Sequence, residues 1–118
     1  MYRITDLISE AYEASDNIWF VQSLSIVERT DATVSLRLHI RQDIFIQVFI
    51  GELSDSLYFA LIEANQRIFG IDKEAGQWHL HPYENPHKHE PLDEELDPKP
   101  LLKFLSKVEK LIFEYDLL

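Results

Sequence analysis

The sequence contains no cysteine, only three glycines and no apolar run long enough to cross a bilayer. The first absence excludes disulfides, thiol nucleophiles and thiolate zinc sites, so any metal would be held by nitrogen and oxygen. The glycines, Gly51, Gly70 and Gly76, are too few and too scattered to build a phosphate-cradling loop. There is no Gly-x-Ser-x-Gly elbow, which sets aside acyl-enzyme hydrolysis on that pattern. The N-terminal stretch MYRITDLISEAYEAS is polar every third or fourth residue, unlike the apolar centre of a signal peptide, and the chain is expected in the cytoplasm without membrane contact. Positive charge is also scarce: 11 Lys and Arg stand against 21 Asp and Glu, a net charge of −10. That balance disfavours non-specific binding to phosphate backbones, which depends on clustered cations releasing counterions.

What is present is enough for one folded domain. The chain has 118 residues, 46% of them hydrophobic and 12% aromatic, a composition that can bury a single core. Ile4, Leu7, Ile8, Ala11 and Tyr12 recur at helical spacing, which predicts a helix over 4–15 ended by Ser15-Asp16-Asn17. A sheet is expected over about 17–81. Ile18, Phe20, Leu24 and Ile26 fit a first strand reaching Val27. TVSLRLHI alternates most clearly, with Val34, Leu36, Leu38 and Ile40 on one face and Thr33, Ser35, Arg37 and His39 on the other. IFIQVFI, residues 44–50, is apolar on both faces apart from Gln47, which predicts a central strand covered on each side.

Two further strands are expected near 57–63 and 67–71, about the turn Ala64-Asn65-Gln66, and QWHLHP can form an edge strand. A loop rich in His, Pro and acidic residues fills 82–97. Asp97 can cap a last helix over 98–115, with Pro98 at its first position and Leu101, Leu105, Val108, Ile112 and Tyr115 as its stripe. Lys99, Lys103, Lys107 and Lys110 fit its solvated side. The expected fold is therefore α+β: an N-terminal helix, an antiparallel meander of about five or six strands and a C-terminal helix, with both helices on one sheet face.

Four of the five histidines lie between His79 and His89, in QWHLHPYENPHKHEP. Residues two apart on a strand share a face, so His79 and His81 can converge on one ion such as zinc. The turn Pro82–Pro86 can return His87 or His89 as a third ligand, with Glu84, Glu90 or Asp72 completing the set. The same residues also suit acid–base catalysis, with His39, His79 or His81 exchanging protons and Arg37, Arg41 or Arg67 facing a phosphate. The plainest reading has Trp78 and Leu80 filling the core while His79 and His81 face solvent and His87 and His89 are loop residues.

The run RIFGID, a turn, the histidines ending in PHKHE and an acidic loop before an amphipathic helix together resemble the TumE-like family of small toxins from toxin–antitoxin pairs. The likeness covers mainly residues 57–115. In that family a strand-forming stretch is followed by an Arg, an Asp-led turn and a Pro-His-rich segment, which fall here on Arg67, Asp72 and Pro86-His87-Lys88-His89. KEAGQWHLHPYEN departs from the pattern, placing Trp78, His79 and His81 where a compact Asn and Pro-His-His turn is expected. The resemblance implies a cytoplasmic toxin neutralised by a cognate antitoxin, with RNA as the first substrate to test; the candidate site for that reading is His79, His81, His87 and His89, with Arg67 and Asp72 beside them. The residues leave a second class open, a non-enzymatic module whose apolar sheet face or edge holds a partner or a second copy as a homodimer.

Overall fold

The computed structural model describes residues 2–118. Its elements run α1 (Ile4–Asn17), β1 (Ser23–Arg29), β2 (Thr33–Arg41), β3 (Ile44–Gly51), β4 (Ser56–Glu63), β5 (Gln66–Glu74), β6 (Gln77–His81), β7 (Glu90–Pro91) and α2 (Pro100–Tyr115). All seven strands pair antiparallel in sequence order, so the sheet is a simple meander. The α+β fold is as the sequence predicts, with one or two more strands than the expected five or six. Among the described residues no helix is long and apolar enough to cross a membrane.

The turns explain the meander. Ala64 and Asn65 both take positive φ, 50° and 65°, between β4 and β5, and Ala75 and Gly76 do so at 51° and 78° between β5 and β6. Paired positive φ angles at a two-residue loop match the right-handed twist of the strands they join. In β2 and β3 alternate residues are buried: Val34, Leu36, Leu38 and Ile40 in one, Ile44, Ile46, Val48 and Ile50 in the other. Both helices cover that side, α1 touching β1, β2 and β3 and α2 touching β4.

Several boundaries differ from expectation. Helix α1 continues through Ser15-Asp16-Asn17, and β1 begins only at Ser23, because Phe20 and Val21 sink into the core from the connection between them. Strand β3 is covered on one face, not two, and β4 is the middle strand. Its second face stays half-buried because Phe45 lies beneath the Arg37 guanidinium, 4.5 Å from the ring centroid, and Phe49 packs 5.7 Å from Tyr58. Helix α2 starts at Pro100 rather than Pro98, with Lys99 at the cap position. Pro100 fits the first turn as well as Pro98 would, and Asp97 instead extends toward Lys73 at 3.9 Å. The segment 82–97 is not all loop, since β7 within it pairs with β6 and removes that strand from the sheet edge.

Packing centres on aromatic rings. Phe104 of α2 lies 5.4 Å from Phe59 and 5.5 Å from Phe69, ring to ring, and is fully buried. The two helices are joined by a buried carboxylate: Glu10 of α1 accepts the backbone N–H of Leu102 at 2.6 Å and the hydroxyl of Tyr2. The Leu102 amide is one of the N–H groups that the first turn of a helix leaves unpaired. Burial raises the Glu10 pKa above its ordinary 4.5, although the bonds from Tyr2 and Leu102 oppose the shift. Because the folded-state value is the higher one, the contribution of this group to stability is complete below 4.5 and is lost as pH rises through the folded value. Thermal melts of wild type and Glu10→Gln across pH should therefore diverge upward from about pH 4.5, the Gln variant gaining relative to wild type. A constant gap between the two would contradict this account of Glu10.

Candidate functional site

The β5–β6 hairpin sets the site. Asp72 pairs with His79 and Gly70 with His81, so all four point to the sheet face that the helices leave open. The chain then makes two successive turns, with Asn85 N–H donating to Pro82 O at 3.1 Å and Lys88 N–H to Asn85 O at 3.0 Å. It re-enters the sheet as β7, where Glu90 pairs with Leu80. That register brings His89 beside His81.

The result is three imidazoles around one carboxylate. His81 Nε2 donates to Asp72 Oδ2 at 2.9 Å, His79 Nδ1 lies 3.5 Å from Oδ1, and His89 Nε2 lies 4.0 Å from Oδ1. The His89 ring sits 4.2 Å from that of His79 and 5.0 Å from that of His81, centroid to centroid. Exposure grades outward: the side chains of His81 and Asp72 are 10% and 12% exposed, and that of His89 is 53%. The expectation that His79 and His81 simply face solvent is thus corrected for His81, which is buried, while Leu80 is only half-buried. On the open face the His89 ring lies 5.0 Å from that of His81, centroid to centroid.

Among the described residues, the buried side-chain atoms without a hydrogen-bond partner are Asp72 Oδ1, His79 Nδ1 and His81 Nδ1. All three belong to this cluster. Structural clusters usually satisfy such atoms, since an unpaired buried polar group costs about 1–3 kcal/mol. Two of the three, Asp72 Oδ1 and His79 Nδ1, face each other at 3.5 Å.

Arg67 adjoins the cluster because Gly70 has no side chain. A Cβ on Gly70 would stand 3.3 Å from Arg67 Cδ, 3.8 Å from His81 Cβ and 3.2 Å from the Phe59 carbonyl oxygen, so the Arg67 stem crosses the strand where a larger residue would block it. Its guanidinium donates from Nη2 to Pro86 O at 3.1 Å, which ties the returning loop to β5. His87 stands apart, exposed, lining a cleft of about 640 Å³ with Arg67, Tyr83 and Pro86. Tyr58, opposite Asp72 on β4, donates its hydroxyl to Glu74, and that bond raises the phenol pKa above 10.0.

The other sequence candidates lie elsewhere. His39 bonds Ser25 at 2.9 Å, Arg37 donates to Gln47 at 2.9 Å, and Arg41 pairs with Asp43 and Glu63. His39 and Arg37 are four strands from β6, roughly 19 Å at ordinary strand spacing. Of the acidic residues offered as a fourth ligand, Asp72 is in place, whereas Glu90 pairs with Lys88 at 3.0 Å and Glu84 accepts from Tyr115 at 3.3 Å. Gly70 was not foreseen as a site residue. No family model, no curated protein and no solved structure matches the chain.

Proposed function

We propose that the chain is the toxin-like member of a toxin–antitoxin pair, similar to the TumE-like proteins, and that it cleaves RNA by acid–base catalysis at His79 and His89. The observation that carries this reading is the packing of an exposed imidazole, His89, against His79 and the buried Asp72–His81 pair, with Arg67 alongside. One imidazole removes the proton of a ribose 2′-hydroxyl, whose oxygen attacks phosphorus. The bond from phosphorus to the 5′-oxygen breaks, and the other imidazole, as imidazolium, protonates that leaving oxygen. The products are a 2′,3′-cyclic phosphate and a 5′-hydroxyl. Arg67 offsets the negative charge that grows on the phosphate oxygens.

His81 acts as a positioning residue. It holds the Asp72 carboxylate in place, and Asp72 in turn faces Nδ1 of His79, leaving Nε2 of His79 for substrate. Expression of the wild-type chain should arrest bacterial growth, and a soluble, folded variant with His79, His81, His87 and His89 all changed to Ala should not. No arrest by either protein would remove the toxin reading.

A second reading has one specific observation behind it. Ligand atoms of Asp72, His81 and His89 lie within 4.8 Å of one another, and Asp72 Oδ1, which has no hydrogen-bond partner, lies 4.0 Å from His89 Nε2. A mixed nitrogen and oxygen set of this kind suits zinc. The two readings part on chelation. Acid–base cleavage continues in EDTA with an unchanged melting temperature, whereas a site that binds an ion only when folded loses stability by mass action as the ion is withdrawn. We expect the first outcome, checked by melting the purified protein with EDTA and with added zinc.

A further inference from the structure

We propose that the open sheet face is the surface on which single-stranded RNA lies as it enters the histidine cluster, its bases against Phe49 and Tyr58 and its phosphates near Arg37 and Arg67. This rests on the RNA-cleaving reading and adds how the substrate is held.

The face is free because both helices pack on the other side. It carries two half-buried rings on adjacent strands, Phe49 and Tyr58, while the Phe45 ring is covered by the Arg37 guanidinium. Phe49, Tyr58, Asp72 and His79 form one continuous cross-strand row, so the aromatic surface runs directly into the cluster over roughly 14 Å at ordinary strand spacing. Aromatic rings on a sheet offer stacking surfaces to unpaired bases whatever their identity. A duplex presents no such base faces, which selects for a single strand.

Charge complements this shape despite the net charge of −10. Arg37 and Arg67 stand on the open face together with His39, His79, His81 and His89. Of the carboxylates that share it, Asp72 is enclosed by histidines and Glu74 accepts from Tyr58, while Glu28 lies on the outermost strand. The helices on the far side carry Asp6, Glu13, Asp16, Glu109 and Glu114 beside Lys103, Lys107 and Lys110. With Asp72 and Glu74 already engaged, Arg37 and Arg67 set the local balance of the open face, and such a local group of cations can steer an anionic ligand.

The test is fluorescence anisotropy with a short labelled polyuridine strand, using His89→Ala so that the strand stays intact. Phe49→Leu with Tyr58→Leu, which keeps apolar volume but removes both rings, should weaken binding about tenfold or more, and Tyr58→Phe should bind within about twofold of its parent. Affinity should also fall as salt rises. Circular dichroism establishes that each variant is folded, and Arg37→Gln, which alters no core residue, gives an independent loss of binding. RNA affinity unchanged in the Leu pair and in Arg37→Gln overturns the proposal while leaving cleavage at the histidines intact. Cleavage by wild type with no measurable strand binding by His89→Ala does the same. A wild-type dimer that the Leu pair converts to monomer, with RNA affinity unchanged, overturns it in favour of a second copy on this face. Neither binding nor cleavage removes both this proposal and the reading beneath it.

Discussion

On the proposed mechanism, His89→Ala is expected to lower RNA cleavage by about 10²–10⁴-fold, the usual contribution of a positioned general acid or base. The size follows from where the residue stands. His89 is the most exposed of the three clustered imidazoles, yet its ring packs on His79 and its Nε2 faces the buried carboxylate. It can therefore meet a substrate without surrendering its orientation. The fold should barely notice the change, because an exposed side chain of this kind contributes less than about 0.5 kcal/mol. His87→Ala, lacking any link to Asp72, should cost far less activity. Single-turnover cleavage rates and thermal melts on both variants check this, and a His89 variant that loses activity only in step with its fold would oppose it.

Phe104→Ala is expected to cost about 3–5 kcal/mol, the range for removing a buried ring without collapse of the space left behind. Helix α2 packs this ring between Phe59 and Phe69, beside its other buried side chains Leu101, Leu105, Val108 and Ile112. Against a total stability of about 5–15 kcal/mol for a domain, such a loss lowers the melting temperature by about 10–25 °C. Phe113, on the same helix but 70% exposed, should tolerate Ala within about 0.5 kcal/mol. Urea and thermal unfolding of the two variants measure the contrast. Equal losses at the two positions would mean that α2 is packed differently.

The sheet was legible where one physical demand dominated. Thr33–Ile40 alternates strictly because one side meets the helices and the other does not, and Leu101, Leu105, Val108 and Ile112 repeat at helical spacing for the same reason. Where two demands competed, sequence was ambiguous. Pro98 and Pro100 each suit a first helical turn, and only the packing of Leu101 and Phe104 selects the second. Phe45 and Phe49 look like core residues, since a ring shielded by Arg37 or Tyr58 is as apolar as one under a helix.

The histidine segment shows the same division. A two-residue turn at Ala75-Gly76 would by itself place Asp72 opposite His79, so that pairing was available from the turn chemistry. The turn Pro82–Pro86 allows either His87 or His89 to return, and the choice of His89 is not legible there. It depends on the two-residue strand β7, whose short length leaves no periodic pattern to detect. With that return, exposure grades outward from His81 to His89.

The central claim is tested most directly by incubating purified wild-type protein with single-stranded RNA in EDTA and identifying the ends produced, beside a folded variant in which His79, His81 and His89 are all Ala. The account predicts 2′,3′-cyclic phosphate and 5′-hydroxyl ends from the wild type and intact RNA from the variant. Intact RNA with both proteins, or equal cleavage by both, would contradict it.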